Sequence, residues 1–177
     1  MEFVTPVSKF SFLEILNDGQ KALDCGLYKI ALMFALTIPS ICSRIEFKDN
    51  PEYKKSNGDW KDKKCYVDWC RNHCIRFANS EIPEQDDEYI SHIYKLRCAV
   101  VHAAEFECGD IPCELTIDAW YPTTSFIKND ELQKYDISII PLCKRLFFEG
   151  ECFYLSNYMH FKEVPIVTHN MDWLKEE

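Results

Sequence analysis

No export signal opens the chain: Met1 to Lys9 has neither a basic leader nor an unbroken apolar run ahead of a small-residue cleavage site. No apolar run approaches the roughly 18 residues that a membrane span needs; the longest, Ile30 to Ile38, is interrupted by Thr37 and stopped by Pro39. Glycine is scarce, at five residues, and none of them builds a phosphate-cradling loop. No Ser/His/Asp order and no HExxH string occurs, so nucleotide-loop, serine hydrolase and zinc peptidase chemistries receive little support. Internal repeats at solenoid period and low-complexity segments are also missing. These absences lead to the expectation of a cytoplasmic protein with no membrane attachment and no bound cofactor.

Paired C-x2-C knuckles are absent too, although there are ten cysteines. Without an export signal the thiols are expected to be reduced rather than bridged. The one cluster, Cys65, Cys70, His73 and Cys74, has C-x4-C-x3-C spacing on a helical pattern. Two soft ligands at i and i+4 could converge on zinc, but small buried side chains are the favoured reading and no metal site is expected.

The net charge of −9 excludes indiscriminate attraction to nucleic acid. It leaves room for a local site. Residues 54 to 76 hold seven basic side chains against three acidic ones, a local balance of +4. A phosphate path with Trp60, Tyr66 or Trp69 as stacking faces is one reading of that stretch, and a solvated helix face over core aromatics is the favoured one.

At 177 residues with 47% apolar content the chain suits one globular domain over residues 1–177. The expected fold class is mainly α: a helical core over about residues 10–105, then a small β element and a C-terminal helix over about 110–160. The first helix is placed from near Ser11 to Cys25, ended by Gly26. A second, Leu27 to Thr37, is apolar on most sides and should be central, with a short third helix starting at Pro39. Lys48 to Asp59 reads as a polar loop, and Lys61 to Ala78 as a helix, ended by Asn79 to Pro83. Cys113, Leu115, Ile117 and Ala119 alternate as one side of a strand ended by Pro122. Pro141 to Asn157 returns to helical spacing, with Gly150 as a weak point worth up to about 1 kcal/mol. Residues 158 to 177 take no firm assignment.

The stretch Tyr89 to His102, YISHIYKLRCAVVH, organises the rest. Tyr89, Ile93, Leu96 and Val100 form one apolar row, with Ile90, Tyr94 and Val101 beside it. Pro83 followed by Glu84, Asp86, Asp87 and Glu88 is a strong start for this helix. Arg97 falls between the rows, where an unpaired guanidinium would cost several kcal/mol, so an anion should meet it. Glu46 and Asp68 are candidate partners. His102 stands near the helix end, where the partial negative charge favours imidazolium, about 140° round the wheel from Arg97. His92 is read as an ordinary surface or packing residue.

Arg97, four residues, then His102 resembles the R-x4-6-H signature of the HEPN superfamily of helical bundles. KIALMFALTIPSICSRIEF (Lys29 to Phe47) resembles the "A-L-t-I-P-d-I-C" helix of a bacterial group in that superfamily, and KKCYVDWCRNHC (Lys63 to Cys74) its "r-Y-x-x-W" helix. Together the three phrases lie within residues 10 to 103. The residue after the arginine is polar in the commonest family form and is Cys98 here. The resemblance implies a HEPN-like bundle and a homodimer whose two motif helices share one metal-independent ribonuclease site. Toxin, phage-defence or RNA-processing systems are its usual setting. Only Arg97 and His102 carry over as catalytic residues.

The chemistry of the two side chains agrees with that implication. When a 2′-OH attacks the adjacent phosphate, one group must move protons and another must hold the added charge. Histidine suits the first task and arginine the second, with its paired donors and permanent charge. An offset of about 140° presents the pair poorly from one regular helix, whereas two copies across a two-fold could surround one cleft. The alternative is a non-catalytic module using the same helix for dimerisation or for docking an antitoxin or another protein, with Arg97 and His102 in structural roles.

Overall fold

The computed structural model describes residues 6–74, 83–103, 113–117, 126–129, 134–161 and 164–167, with side-chain detail for 11–74, 89–101, 115–117 and 137–161. Its elements run in the order β1 (Pro6–Phe10), α1 (Phe12–Asp24), α2 (Tyr28–Glu46), a 3-10 turn (Pro51–Tyr53), α3 (Asp62–His73), α4 (Pro83–Cys98) and a π turn (Ala99–Ala103). Strands β2 (Cys113–Thr116), β3 (Phe126–Asn129) and β4 (Lys134–Ser138) follow, then α5 (Ile139–Asn157), a 3-10 turn (Tyr158–His160) and β5 (Val164–Val167). The fold is mainly α with a small β element, as the periodicity predicts.

Local chemistry sets the ends of α1. Ser11 and Glu14 form a reciprocal cap, Ser11 N donating to Glu14 Oε2 at 2.8 Å and Glu14 N to Ser11 Oγ at 3.3 Å. At the other end Gly26 adopts φ 73°, Leu27 N reaches Ala22 O at 2.8 Å and Gly26 N reaches Leu23 O at 3.1 Å. That paired closure needs the left-handed backbone that glycine reaches without strain. The expected stop at Gly26 is therefore real.

Helix α2 is the central rod: α1, α3, α4 and α5 all pack on it. Ala31, Leu32, Ala35, Leu36, Ile38 and Cys42 are fully buried. By length and composition it would cross a membrane, with mean hydropathy 1.3, but its apolar surplus is what a helix surrounded by four others requires. It also corrects an expectation, since it runs unbroken through Pro39 instead of stopping at Thr37. The missing donor forfeits one bond to the Ala35 carbonyl. Burial of the ring in the core offsets that loss, and Thr37 Oγ1 donates to Phe34 O at 2.7 Å just before it.

The loop expected over Lys48 to Asp59 contains the first 3-10 turn, whose Tyr53 is buried with its ring 3.9 Å from that of Phe47 and parallel to it. Helix α3 is shorter than expected, ending at His73 with Cys74 as its cap. The break expected at 79–82 lies outside the described residues, as do the end of the organising helix beyond Ala103 and Pro122.

Strand β4 is the centre of a mixed three-stranded sheet, parallel to β2 and antiparallel to β3. The strand expected through Ala119 ends at Thr116, whose partner is Ser138, the last residue before α5 begins. Ile117 therefore has no ladder partner and is 51% exposed instead of facing inward. Of the unassigned tail, Val164–Val167 pairs antiparallel with Pro6–Phe10, joining the two ends of the described chain.

Gly150 has a role that helical spacing does not disclose. It is buried where α5 crosses α2, and a Cβ there would lie 2.6 Å from Ile38 Cγ2 and 3.2 Å from Leu16 Cδ2. Whatever it costs the helix in propensity, the glycine is also a contact point between helices. The Pro141–Asn157 helix itself is present, extended to start at Ile139.

Candidate functional site

Helix α4 buries the row expected of it: Tyr89 and Leu96 are fully enclosed, as is Val100 beyond the helix end, and Ile93 nearly so. Ile90 is buried beside them while Tyr94 and Val101 are half-buried. His92 is buried, which makes it a packing residue.

Arg97 is half-buried with its Nε shielded from solvent. Its Nη1 lies 4.0 Å from Cys98 Sγ. Burial raises the Tyr94 phenol to about 12, helped by its hydrogen bond with Cys98 and opposed by the nearby Arg97 charge. Tyr66 meets Tyr94 edge-on at 5.3 Å and is itself raised by burial, the Arg97 charge again opposing. The charge of the guanidinium is thus felt at both phenols, and the Cys98 thiol lies next to it. The two carboxylates nominated as its partners are engaged elsewhere. Glu46 receives His73 Nε2 at 2.8 Å and Asn72 Nδ2 at 3.3 Å. Asp68 receives Lys64 Nζ at 2.8 Å, Arg71 Nη1 at 2.6 Å and the Tyr53 hydroxyl at 3.0 Å.

His102 falls within the π turn that continues α4, and its side chain lies outside the described residues. The turn matters for its backbone position. A π turn bonds i to i+5 and so advances less per residue than an α-helix, which carries residues five apart toward one side. Because the π turn spans part of the interval, the offset between positions 97 and 102 is smaller than the about 140° of a regular helix. Periodicity at 3.6 residues could not disclose this, because it presumes the regular helix.

Beside this helix runs a groove of about 610 Å³, lined by Tyr94 of α4 and by Lys55, Trp60, Lys61, Lys63, Lys64 and Val67, together with the carboxylates of Asp62 and Asp68. Of the three aromatics considered as stacking faces, Trp69 and Tyr66 are core residues with essentially no exposure, which removes them. Trp60 is half-buried, and Lys54 Nζ and Arg44 Cζ lie 5.4 and 5.6 Å from its ring centre. Much of the local positive charge is neutralised, Arg44 by Asp62, Lys64 by Glu52 and Asp68, and Arg71 by Asp68. Lys54, Lys55 and Lys63 make no ion pair among the described residues.

Asp68 ties this patch together. Burial alone would raise its carboxyl, but hydrogen bonds from Lys64 and Tyr53 and the charges of Lys64 and Arg71 outweigh it and hold it below the usual carboxylate range. A depressed folded value contributes stability that is present above the unfolded value of about 3.9 and is lost as pH falls through the folded one. Asp68→Asn should cost about 1–2 kcal/mol at pH 7, the exposed partners being screened by solvent. The deficit relative to wild type should shrink as pH falls below the unfolded value and through the folded one in urea melts across pH; a constant deficit would show that charge plays no part.

The thiols Cys65, Cys70 and Cys74 are buried, as expected of small core side chains, and burial raises Cys74, with its hydrogen bond to Cys70 adding to it. His73 pairs with Glu46 and stacks on Trp69 at 4.9 Å. No grouping of three or more metal-binding side chains occurs among the described residues. No protein-family model, characterised protein or solved structure matches the chain.

Proposed function

We propose that the chain is a metal-independent endoribonuclease of HEPN type that cleaves RNA by 2′-OH attack. In this reading His102 moves the proton and Arg97 holds the charge of the pentavalent phosphate. The supporting observation is the π turn at Ala99–Ala103, which lessens the angular separation of the two positions within one chain. In this reading the two motif helices of a homodimer face one another, and the Arg97 and His102 of both copies surround one cleft. The lysine-lined groove next to Tyr94, three residues before Arg97, gives a negatively charged strand a path past an otherwise acidic surface. Toxin, phage-defence or RNA-processing systems are the settings that use such an activity.

A second reading rests on the surroundings of Arg97. A half-buried guanidinium with its Nε shielded and a thiol beside it also suits a structural role in a non-catalytic module that docks an antitoxin or another protein. The two readings separate in one assay. Wild type and His102→Ala are incubated with structured and unstructured RNA in EDTA, and product ends are analysed. A ribonuclease leaves 2′,3′-cyclic phosphate ends and loses on the order of 10²–10⁴-fold in rate on substitution. Equal cutting by both proteins, or none by either, leaves the docking module.

A further inference from the structure

Trp60 stands just before α3 at the end of a closed turn. Its backbone bridges that of Lys54, Lys55 N donates to Asp59 O at 2.7 Å, and Gly58 N donates to Lys55 O at 2.9 Å. Gly58 holds φ 86°, a backbone that glycine reaches without strain, so the turn has one shape. It sets a half-buried indole into the wall of the groove that Tyr94 also lines. The cations of Lys54 and Arg44 beside the ring hold it further. A ring fixed in advance costs no ordering when a flat partner stacks on it.

The charge of the groove resolves into three lysines. Asp62 is met by Arg44 at 2.8 Å, and Asp68 by Lys64 and Arg71 at 2.8 and 2.6 Å. Lys55, Lys61 and Lys63 are exposed and make no ion pair among the described residues, and Lys61 Nζ donates to the Glu52 carbonyl at 3.0 Å. Lysine meets phosphate as a point charge, and a fixed aromatic ring among such charges matches a base joined to its phosphates. An acidic peptide would use the lysines and leave the indole without a task. The volume of about 610 Å³ is that of a small-ligand pocket. A duplex turns its backbone outward, and a paired base reaches a ring only by leaving its stack.

We infer that this groove binds an unpaired nucleotide of single-stranded RNA, the base against Trp60 and the phosphates on Lys55, Lys61 and Lys63. The inference rests on the ribonuclease reading for the kind of strand, and it adds which part of that strand the chain grips. Tyr94, on the groove, precedes Arg97 by one turn of α4, which joins the grip to the proposed catalytic position.

Fluorescence anisotropy of the full chain with labelled 2′-O-methyl RNA tests it, because a methylated 2′ oxygen cannot attack and binding is read apart from cutting. The single strand should bind at micromolar protein, and a duplex of the same sequence about 10-fold more weakly. Trp60→Ala should weaken single-strand binding by on the order of 10-fold and Trp60→Phe should restore most of it, with duplex binding unmoved. Lys55→Ala and Lys63→Ala, at exposed side chains without ion pairs, should each flatten the dependence of log affinity on log salt by about 0.7. Melting curves establish that every variant folds. A single strand that does not bind, a duplex that binds as tightly, or a folded Trp60→Ala that binds like wild type overturns the inference. Displacement of the RNA by polyglutamate at equal charge overturns it in favour of an acidic peptide. The expected binding pattern in a chain that cuts no RNA removes the ribonuclease and leaves this site standing; cutting by a chain whose binding is indifferent to Trp60 removes this site alone.

Discussion

Gly150→Val should destabilise the protein by about 3 kcal/mol and lower the melting temperature by roughly 10 °C. Simple helix propensity predicts the opposite sign, because removing a glycine from a helix interior relieves a cost of about 0.5–1 kcal/mol. The local geometry decides between them. A Cβ at position 150 meets Ile38 Cγ2 at 2.6 Å, Leu16 Cδ2 at 3.2 Å and Phe12 Cζ at 3.5 Å. Ile38 is fully buried and β-branched, so its γ-methyl has no rotamer into which it can swing away cheaply. Gly150→Ala isolates the contact. With Ile38 intact it should be destabilising, and in an Ile38→Ala background, where the opposing methyl is gone, it should become neutral or stabilising. The coupling between the two positions is expected at about 1–2 kcal/mol. Urea melts of the four proteins measure it directly. A stabilising Gly150→Ala with Ile38 present would mean that the helices do not approach as closely as described. At Gly19 the corresponding Cβ meets the far end of the buried Phe147 ring at 2.5 Å and Phe34 Cβ at 3.0 Å, so this glycine too marks a close approach between helices.

The sequence reports burial well and close approach badly. The apolar faces of α2 and α4 are visible because each repeats over several turns, and the glycine stop at Gly26 is local chemistry that needs no partner. Gly150 carries no such sign: a glycine that weakens a helix and one that lets another helix touch it look alike until the facing residue, Ile38, is known. Pro39 misleads for a related reason. Its missing donor is a local fact, whereas the burial that offsets it belongs to the whole bundle. Strand ends depend on partners in the same way, since nothing near Ile117 reveals that its neighbouring strand gives way to a helix after Ser138. At the candidate site the residue types Arg97 and His102 are legible, and so is their helix. The π turn is not, because Ala99, Val100 and Val101 fit a regular helix equally well. The engagement of Glu46 by His73, and of Asp68 by Lys64 and Arg71, joins separate elements or neighbouring turns that competed for the same carboxylates.

On the proposed ribonuclease reading, inserting one alanine between Val101 and His102 should reduce RNA cleavage by on the order of 10³-fold without unfolding the protein. Leu96 and Val100, the fully buried end of the apolar row, precede the insertion and keep their places. The histidine moves round the helix by about 100° and up by about 1.5 Å, far more than the displacement of about 1 Å that already costs some 10²-fold when reacting groups must align. Deleting Val101 is the informative opposite. It leaves arginine and histidine four residues apart, and a π turn that loses one residue closes into an ordinary α turn, on which positions i and i+4 share a side. Cleavage should then stay within about 10-fold of wild type, and stability should hold or rise because the wider turn is the less favourable form. Circular dichroism and melting curves establish that both variants fold; rates on one labelled RNA in EDTA supply the comparison. A regular helix through Ala103 makes a different forecast, since deletion would bring together two groups that began about 140° apart and raise the rate well above wild type. An insertion variant that cuts as fast as wild type would remove Arg97 and His102 from the chemistry, whichever form the turn takes.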